Sequence, residues 1–206
     1  MTIATMQLQA MFDQPWRCET CDELHHGVPD LSFDAPFYWT SETVIEPNEK
    51  VRYAGDFLSA DFCVIDGEDY FIRCFMRIPI QGVDADWSYG IWASVSRAHF
   101  EQYVDHFHTG FHPPDSPWHG WLANRLKTYP DTLALPCDIH PEGAGNSPRV
   151  EITAEDHLLA RHIRNGMPAE KLIEILMAYG HVPETPIQKP RRSVWRGFFG
   201  RRGAPE

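Results

Sequence analysis

Residues 61–95, DFCVIDGEDYFIRCFMRIPIQGVDADWSYGIWASV, are the stretch that decides the fold. An apolar run over 62–65 is followed by an Asp-Gly dipeptide, which is typical of a tight hairpin turn. Apolar residues then occupy every second position over 70–80 and again over 89–95, which is the period of a strand with one buried face. We therefore predict three consecutive strands that form an antiparallel meander.

Further elements are predicted after this meander. Ser96 is placed to cap a helix whose apolar residues recur at helical spacing up to Phe107. Two strand-like segments are predicted over 118–126 and 132–140, and Pro168 suits the first turn of a final helix. Because strands are followed by helices without βαβ alternation, we predict an α+β fold with a mainly antiparallel sheet, a few packed helices and an N-terminal Cys/His knuckle.

The composition indicates a globular protein with one core. The 206 residues are 43% apolar and 13% aromatic, which excludes disordered, collagen-like and coiled-coil proteins. We predict a flexible N-terminus over residues 1–15, one α+β domain over 16–182 and a basic, disordered tail over 183–206. The uncharged apolar runs are far shorter than the ~20 residues that span a bilayer. The N-terminal segment lacks the basic and apolar regions of a secretory signal, so we expect a cytoplasmic location.

The charge of the chain is unevenly distributed. The 18 basic and 29 acidic residues give a net charge of −11, yet the last eighteen residues alone carry +5, so the preceding 188 carry −16. An acidic body repels nucleic-acid phosphates, and we expect no specific nucleic-acid binding. The tail also contains Trp195, Phe198 and Phe199, which suits weak contact with an anionic membrane or with RNA. A solvated tail that aids solubility is the alternative.

The clearest chemical signal in the sequence is the set Cys18, Cys21 and His25. Two thiolates separated by two residues, with an imidazole four residues later, supply donors at a spacing that suits tetrahedral zinc. A redox pair is the alternative, but it requires a helix N-terminus after a strand, and the acidic residues around both cysteines disfavour a reactive thiolate. We therefore expect reduced thiols and a structural zinc ion.

The same segment resembles a known family. Its motif is Cys18-x-x-Cys21-x-x-x-His25-x-Gly27-x-Pro29, followed by Phe33-Asp34-Ala35-Pro36 and Trp39. Later matching blocks are DFCVIDG at 61–67, FIR at 71–73, GWL at 120–122, YPDTL at 129–133, His140 and Asp156-His157. On these residues the sequence resembles the bacterial family known as domain of unknown function 2199 (DUF2199), from about residue 16 to 180. The resemblance implies an intracellular bacterial protein of uncharacterised role and supplies no reaction.

The sequence departs from the family's pattern at two positions. Asp22 stands where the family commonly has Gly after the second cysteine, and Leu158 stands where a Pro usually follows the Asp-His pair. Asp22 makes the turn of the knuckle less permissive, because Gly most easily adopts a positive φ.

A structural zinc site needs a fourth ligand. Cys63 is the first candidate, because it lies in a block shared with the family just before the predicted hairpin. His26, Cys137 and His140 are alternatives. Cys63 is also of the residue type that often serves as a small buried hydrophobe.

Asp34, His140 and His157 form a second candidate site. They are polar residues in family-like blocks and suit acid/base chemistry in principle. Helix capping is a plainer role for Asp156 and His157, and turn formation is a plainer role for Asp34. Five further histidines lie between residues 99 and 119, but their spacing matches no ligand motif, and we expect them to be solvated or locally hydrogen-bonded.

A third candidate is a binding surface on the predicted meander. Arg73, Arg77 and Trp92 lie on neighbouring strands, and arginine and tryptophan are enriched where proteins bind partners. We consider an anion-binding or protein-binding face here, with a partly covered amphipathic face as the alternative.

Together these features favour a binding module over an enzyme. The sequence contains no H-E-x-x-H, G-x-S-x-G, P-loop or dinucleotide-binding motif. We predict a non-enzymatic protein-binding or regulatory module with a structural zinc knuckle, whose partner is another protein, for example a basic one. The alternative is a zinc-dependent hydrolase of a small substrate, in which Cys18, Cys21 and His25 leave the fourth position to water.

Overall fold

The computed structural model describes residues 2–109, 113–142 and 146–183. Within these ranges the elements are, in order, α1 (Ile3–Asp13), β1 (Trp16–Arg17), β2 (Leu24–His25), β3 (Leu31–Ser32), β4 (Phe57–Leu58), β5 (Phe62–Ile65), β6 (Asp69–Pro79), β7 (Asp86–Val95), α2 (Arg97–His106), β8 (Trp118–Leu122), β9 (Pro136–His140), β10 (Arg149–Ile152), α3 (Leu158–Asn165) and α4 (Ala169–Ala178). The predicted basic tail, with Trp195, Phe198 and Phe199, lies outside the described residues from position 184 onward.

The predicted antiparallel meander is confirmed in β5, β6 and β7. β5 pairs with β6, and β6 pairs with β7 from Tyr70↔Val95 to Pro79↔Asp86. The predicted core face of β6 and of the residue after it is buried at Tyr70, Ile72, Cys74, Met76, Ile78 and Ile80. On the other face of β6 Phe71 alone is buried, and the remaining side chains are exposed or half-buried, which is why the period was visible in the sequence.

The predicted fold class, α+β with a mainly antiparallel sheet and a few packed helices, is wrong because the sheet closes on itself. Strands β6, β7, β8, β9 and β10 pair in succession, and β10 then pairs with β6. This closing pair is parallel, as is the pair of β3 with β7, so the result is a closed five-stranded mixed β-barrel with extra strands. The closing pair joins Arg149 of β10 to Phe75 of β6. These strands are far apart in the sequence and share no local pattern that would predict their pairing.

The outer face of the barrel carries a small second core. Leu58, Cys63, Phe71, Trp92 and Ala123 are buried there. Partly buried residues of the loop after β3, including Trp39, pack against them. β7 is therefore covered on both faces, and its outward side chains are not all accessible to solvent.

The helices pack around the barrel, and capping side chains mark the first residues of α1 and α2. Ser96 caps α2 as predicted, because its hydroxyl accepts from the backbone N–H of His99 at 3.2 Å. α1 lies in the segment for which the sequence predicts a flexible N-terminus. It is capped by Thr2, buries Leu8 and Met11, and packs against α4. No helix in the described ranges is both long enough and apolar enough to cross a membrane.

Candidate metal centre

The N-terminal knuckle is a short hairpin. β1 and β2 pair at Trp16↔His25, and Cys18 and Asp22 lie in the turn between the two strands. The backbone N–H of Asp22 donates to the carbonyl of Cys18 at 3.0 Å. Asp22 has a φ of 55°, which is the left-handed conformation that Gly adopts most easily. Arg17 supports it by donating to the Asp22 carbonyl at 2.8 Å and carboxylate at 2.7 Å.

Four side chains of residue types that can bind a metal meet at this knuckle. One donor atom from each of Cys18, Cys21, His25 and His181 lies within 4.8 Å of the others. The Cys21 sulfur is 3.3 Å from Nε2 of His25, and the rings of His25 and His181 meet edge to face with centroids 5.2 Å apart. Nδ1 of His181 is buried and has no hydrogen-bond partner among the described residues. A free ring nitrogen is thus available for coordination.

The end of α4 brings His181 to the knuckle. Gly180 adopts a φ of 86° after the helix, and the backbone N–H of His181 donates to the carbonyl of Leu176 at 2.8 Å. The next residues are held by the knuckle's backbone: the N–H of Glu19 donates to the carbonyl of Val182 at 2.8 Å, and Cys18 forms an isolated bridge with Pro183. The cluster therefore brings the knuckle, which follows α1, together with the last described residues of the chain.

The two thiols differ in exposure and acidity. Cys18 is fully buried, and burial by itself raises its pKa, but hydrogen bonds from the backbone N–H groups of Cys21, Thr20 and Val182 outweigh this and lower the pKa to about 6. The pKa of the exposed Cys21 is raised instead. The backbone N–H of Glu23 lowers it, but loss of hydration and the neighbouring Cys18 thiolate prevail. Thiolate is the form that binds metal, and Cys18 is the thiol poised to supply it.

The donor set fits zinc. Bond lengths of about 2.3 Å to sulfur and 2.0–2.1 Å to nitrogen place tetrahedral ligands roughly 3.3–3.8 Å apart. Donors that already lie within 4.8 Å of one another need to move by only about 1 Å to reach these separations. Two cysteines and two histidines are a common set for structural zinc, and four protein ligands complete a tetrahedron.

Cys63, the residue that the sequence favoured as the fourth ligand, does not lie at the knuckle. It is fully buried on β5 in the second core, where burial raises its pKa strongly, and it is not among the clustered donors. Of the alternatives, Cys137 is buried on β9, His140 lies 3.7 Å from the Glu151 carboxylate, and His26 is exposed. Sequence reasoning missed His181, whose one visible signal is a histidine directly after the glycine that ends the final helix.

The structure does not join Asp34, His140 and His157. Among the described residues, no hydrogen bond or ion pair links any two of them. Asp34 is exposed, and Nδ1 of His157 accepts from the backbone N–H of Leu159 at 3.2 Å, so His157 caps α3. Burial and the charge of Arg161 lower the pKa of His157. Of the two capping residues suggested by the sequence, Asp156 and His157, it is His157 that caps the helix.

The predicted binding face divides into accessible and inaccessible residues. Arg77 is exposed and Arg73 is half-buried, but Trp92 is fully buried in the second core. The indole N–H of Trp92 donates to the carbonyl of Phe33 at 2.9 Å. Trp92 is therefore not part of an exposed face, because the loop after β3 covers this side of the sheet.

Of the five histidines between residues 99 and 119, His112 lies outside the described residues, and others make local contacts. His99 lies 3.2 Å from the Asp115 carboxylate and stacks on Trp118, and His119 lies 2.6 Å from the Asp138 carboxylate. These contacts agree with the expectation of local hydrogen bonding. Within the part of the chain that the structure describes, none of these histidines belongs to a metal-binding cluster.

Much of the chain matches the model of a protein family. A family model described as an uncharacterized protein conserved in bacteria, DUF2199, matches residues 17–167. No curated protein and no solved structure matches the chain. Cys18, Cys21 and His25 lie within the matched residues, and His181 lies beyond them.

Proposed function

The chain belongs to DUF2199, a family whose description assigns no activity, and we propose from the donor geometry that the protein binds one structural zinc ion through Cys18, Cys21, His25 and His181. The observation that carries the proposal is the meeting of these four side chains within 4.8 Å. Three of them come from the knuckle and the fourth from the far end of the described chain.

The role of the ion would be to fasten the two ends of the domain together. The contacts that hold residues 181–183 on the knuckle are a few backbone hydrogen bonds, such as Glu19 N–H to the carbonyl of Val182. A metal bound by both segments closes a long loop, and its binding free energy then contributes to folding. Zinc would supply no chemistry here beyond this cross-link.

The number of donors supports a structural site over a hydrolytic one. A catalytic zinc ion normally has three protein ligands and one position for water. The knuckle by itself would offer that arrangement, but His181 completes the set of four. The same geometry favours a non-enzymatic module, with function carried by a surface elsewhere on the molecule.

Neighbouring histidines provide a matched test. We expect about one zinc ion per purified chain, measured by mass spectrometry of the metal, for the wild type and for the His26→Ala control. His25→Ala should lose zinc and unfold at a lower temperature. Zinc loss in His25→Ala without a change in thermal stability would favour the hydrolase hypothesis. A metal-free wild type after purification in zinc-containing medium would refute the proposal.

A further inference from the structure

A small aromatic groove lies on the outside of the barrel, away from the knuckle residues. Its volume is about 280 Å³, and it lies among the loop after β3, the start of β6 and the paired ends of β7 and β8. Its lining consists of Tyr38, Asp69, Phe71, Ser94, Trp121, Leu122, Ala123 and Ala134. The volume is just below the usual range for ligand sites, about 300–1,000 Å³, and fits one long side chain better than a cofactor.

The aromatic rings of the groove are unusually accessible. Trp121 is 56% exposed and Tyr38 is 43% exposed, although both are large apolar side chains. Phe71 lines the same groove but is buried, and its ring stacks on that of Tyr38 with centroids 6.1 Å apart. The groove thus combines two exposed aromatic side chains with the buried ring of Phe71. This arrangement suits a ligand that can interact with π-systems.

The charge of the groove is negative. Asp69 is the one charged residue in its lining, and its exposed carboxylate has no ion pair or side-chain hydrogen bond within the described ranges. The net charge of the whole chain is −11. A cation is attracted both by a carboxylate and by the faces of aromatic rings, whereas an anion gains from neither.

A cation–π contact within the chain, next to the groove, shows the same preference of the aromatic rings for a cation. The guanidinium carbon of Arg125 lies 4.8 Å from the centroid of Phe37, whose ring meets Tyr38 edge to face at 5.9 Å. The aromatic patch thus already holds one arginine of its own chain. Within the described residues, no cation lies over the faces of Tyr38 or Trp121.

We propose that this groove is a docking site for an arginine side chain of a basic partner protein. The guanidinium would lie against the faces of Tyr38 and Trp121 and pair with the carboxylate of Asp69. Arginine fits better than lysine, because its planar and weakly hydrated guanidinium stacks on aromatic rings and pairs with carboxylates through two hydrogen bonds. This site is independent of the proposed zinc site, so either can fail alone.

The test compares two peptides on the full chain. Acetyl-Gly-Arg-Gly-amide carries the guanidinium, and the citrulline peptide of the same length replaces it with a neutral, planar urea group. We expect the arginine peptide to shift the Trp121 indole N–H signal in a nitrogen-15 correlation spectrum at millimolar concentration. That signal is assigned by its loss in Trp121→Phe. The citrulline peptide should bind at least about fivefold more weakly.

Two variants separate a specific site from general attraction by an acidic protein. Asp69→Asn should weaken arginine-peptide binding about fivefold. The matched Glu68→Gln change removes the same charge from an exposed neighbour that does not line the groove, and should weaken binding less than twofold. Equal binding of the two peptides, equal effects of the two variants, or an unmoved Trp121 signal would each overturn the proposal.

Discussion

Gly120 provides a direct test of how closely β7 and β8 approach each other in the barrel. It lies on β8, where a Cβ added to it would fall 2.1 Å from the backbone oxygen of Ser94 on β7 and 2.8 Å from Cδ1 of Ile139. Ordinary van der Waals contact begins at 3.4 Å, so Gly120→Ala must move the two strands apart by more than about 1 Å. Because backbone must shift, we expect a loss of about 3 kcal/mol, the upper end for overpacking.

The assay is urea unfolding followed by far-ultraviolet circular dichroism, with Gly55→Ala as the matched control. A Cβ at Gly55 meets nothing within 4 Å, but its φ of 67° is unfavourable for alanine, so the control should cost about 1 kcal/mol. The expected difference between the variants is about 2 kcal/mol, or roughly 4–8 °C in Tm for a chain of this size. A Gly120→Ala variant as stable as the control would show that β7 and β8 do not approach so closely.

Three further predictions concern the packing and titration of particular side chains. Asn124→Leu should lower the free energy of unfolding in urea by about 3 kcal/mol. The Asn124 side chain accepts from the backbone N–H of Trp92 at 2.6 Å and donates to the carbonyl of Ala35 at 3.0 Å, and leucine can do neither. A loss below about 1 kcal/mol would contradict these hydrogen bonds. Ser96→Ala should lower the free energy of unfolding by about 1 kcal/mol in the same assay, because it removes the cap of α2. An unchanged free energy of unfolding would argue against this cap. Burial lowers the pKa of His162 below its ordinary value of 6.5. As the pH falls, the unfolded chain therefore takes up a proton at this histidine before the folded chain does. The free energy of unfolding should accordingly decrease as the pH is lowered from 7.5 to 5.5. His162→Gln should show a smaller fall over this interval, and an unchanged fall would exclude His162 as a source.

Local features of the fold were predictable from sequence because each is written within a few residues. The alternation in β6 and the hydroxyl of Ser96 both act on their immediate neighbours, and the structure confirms both. Barrel closure depends instead on β10 meeting β6 at Arg149↔Phe75, which no local period encodes. Trp92 likewise falls on the outward-facing alternation of β7, and only the covering loop decides that it is buried.

The candidate site was also predictable only in part. Cys18, Cys21 and His25 lie close together in the chain, so their spacing alone indicated a shared site. His181 joins them through the packing of α4 and the bridge between Cys18 and Pro183. A ligand recruited by tertiary contact leaves no spacing signal, and Cys63 was favoured in its place because of its position in a family-like block.

The central claim is tested most directly by the identity of the fourth ligand. The measurement is zinc affinity in competition with a chromophoric chelator, for the wild type, His181→Ala and Cys63→Ala. We expect His181→Ala to weaken zinc binding by at least about tenfold, because it removes a metal ligand. Cys63→Ala should change the affinity less than twofold, since Cys63 is buried in the second core. Wild-type affinity in His181→Ala, together with zinc loss in Cys63→Ala, would contradict the account.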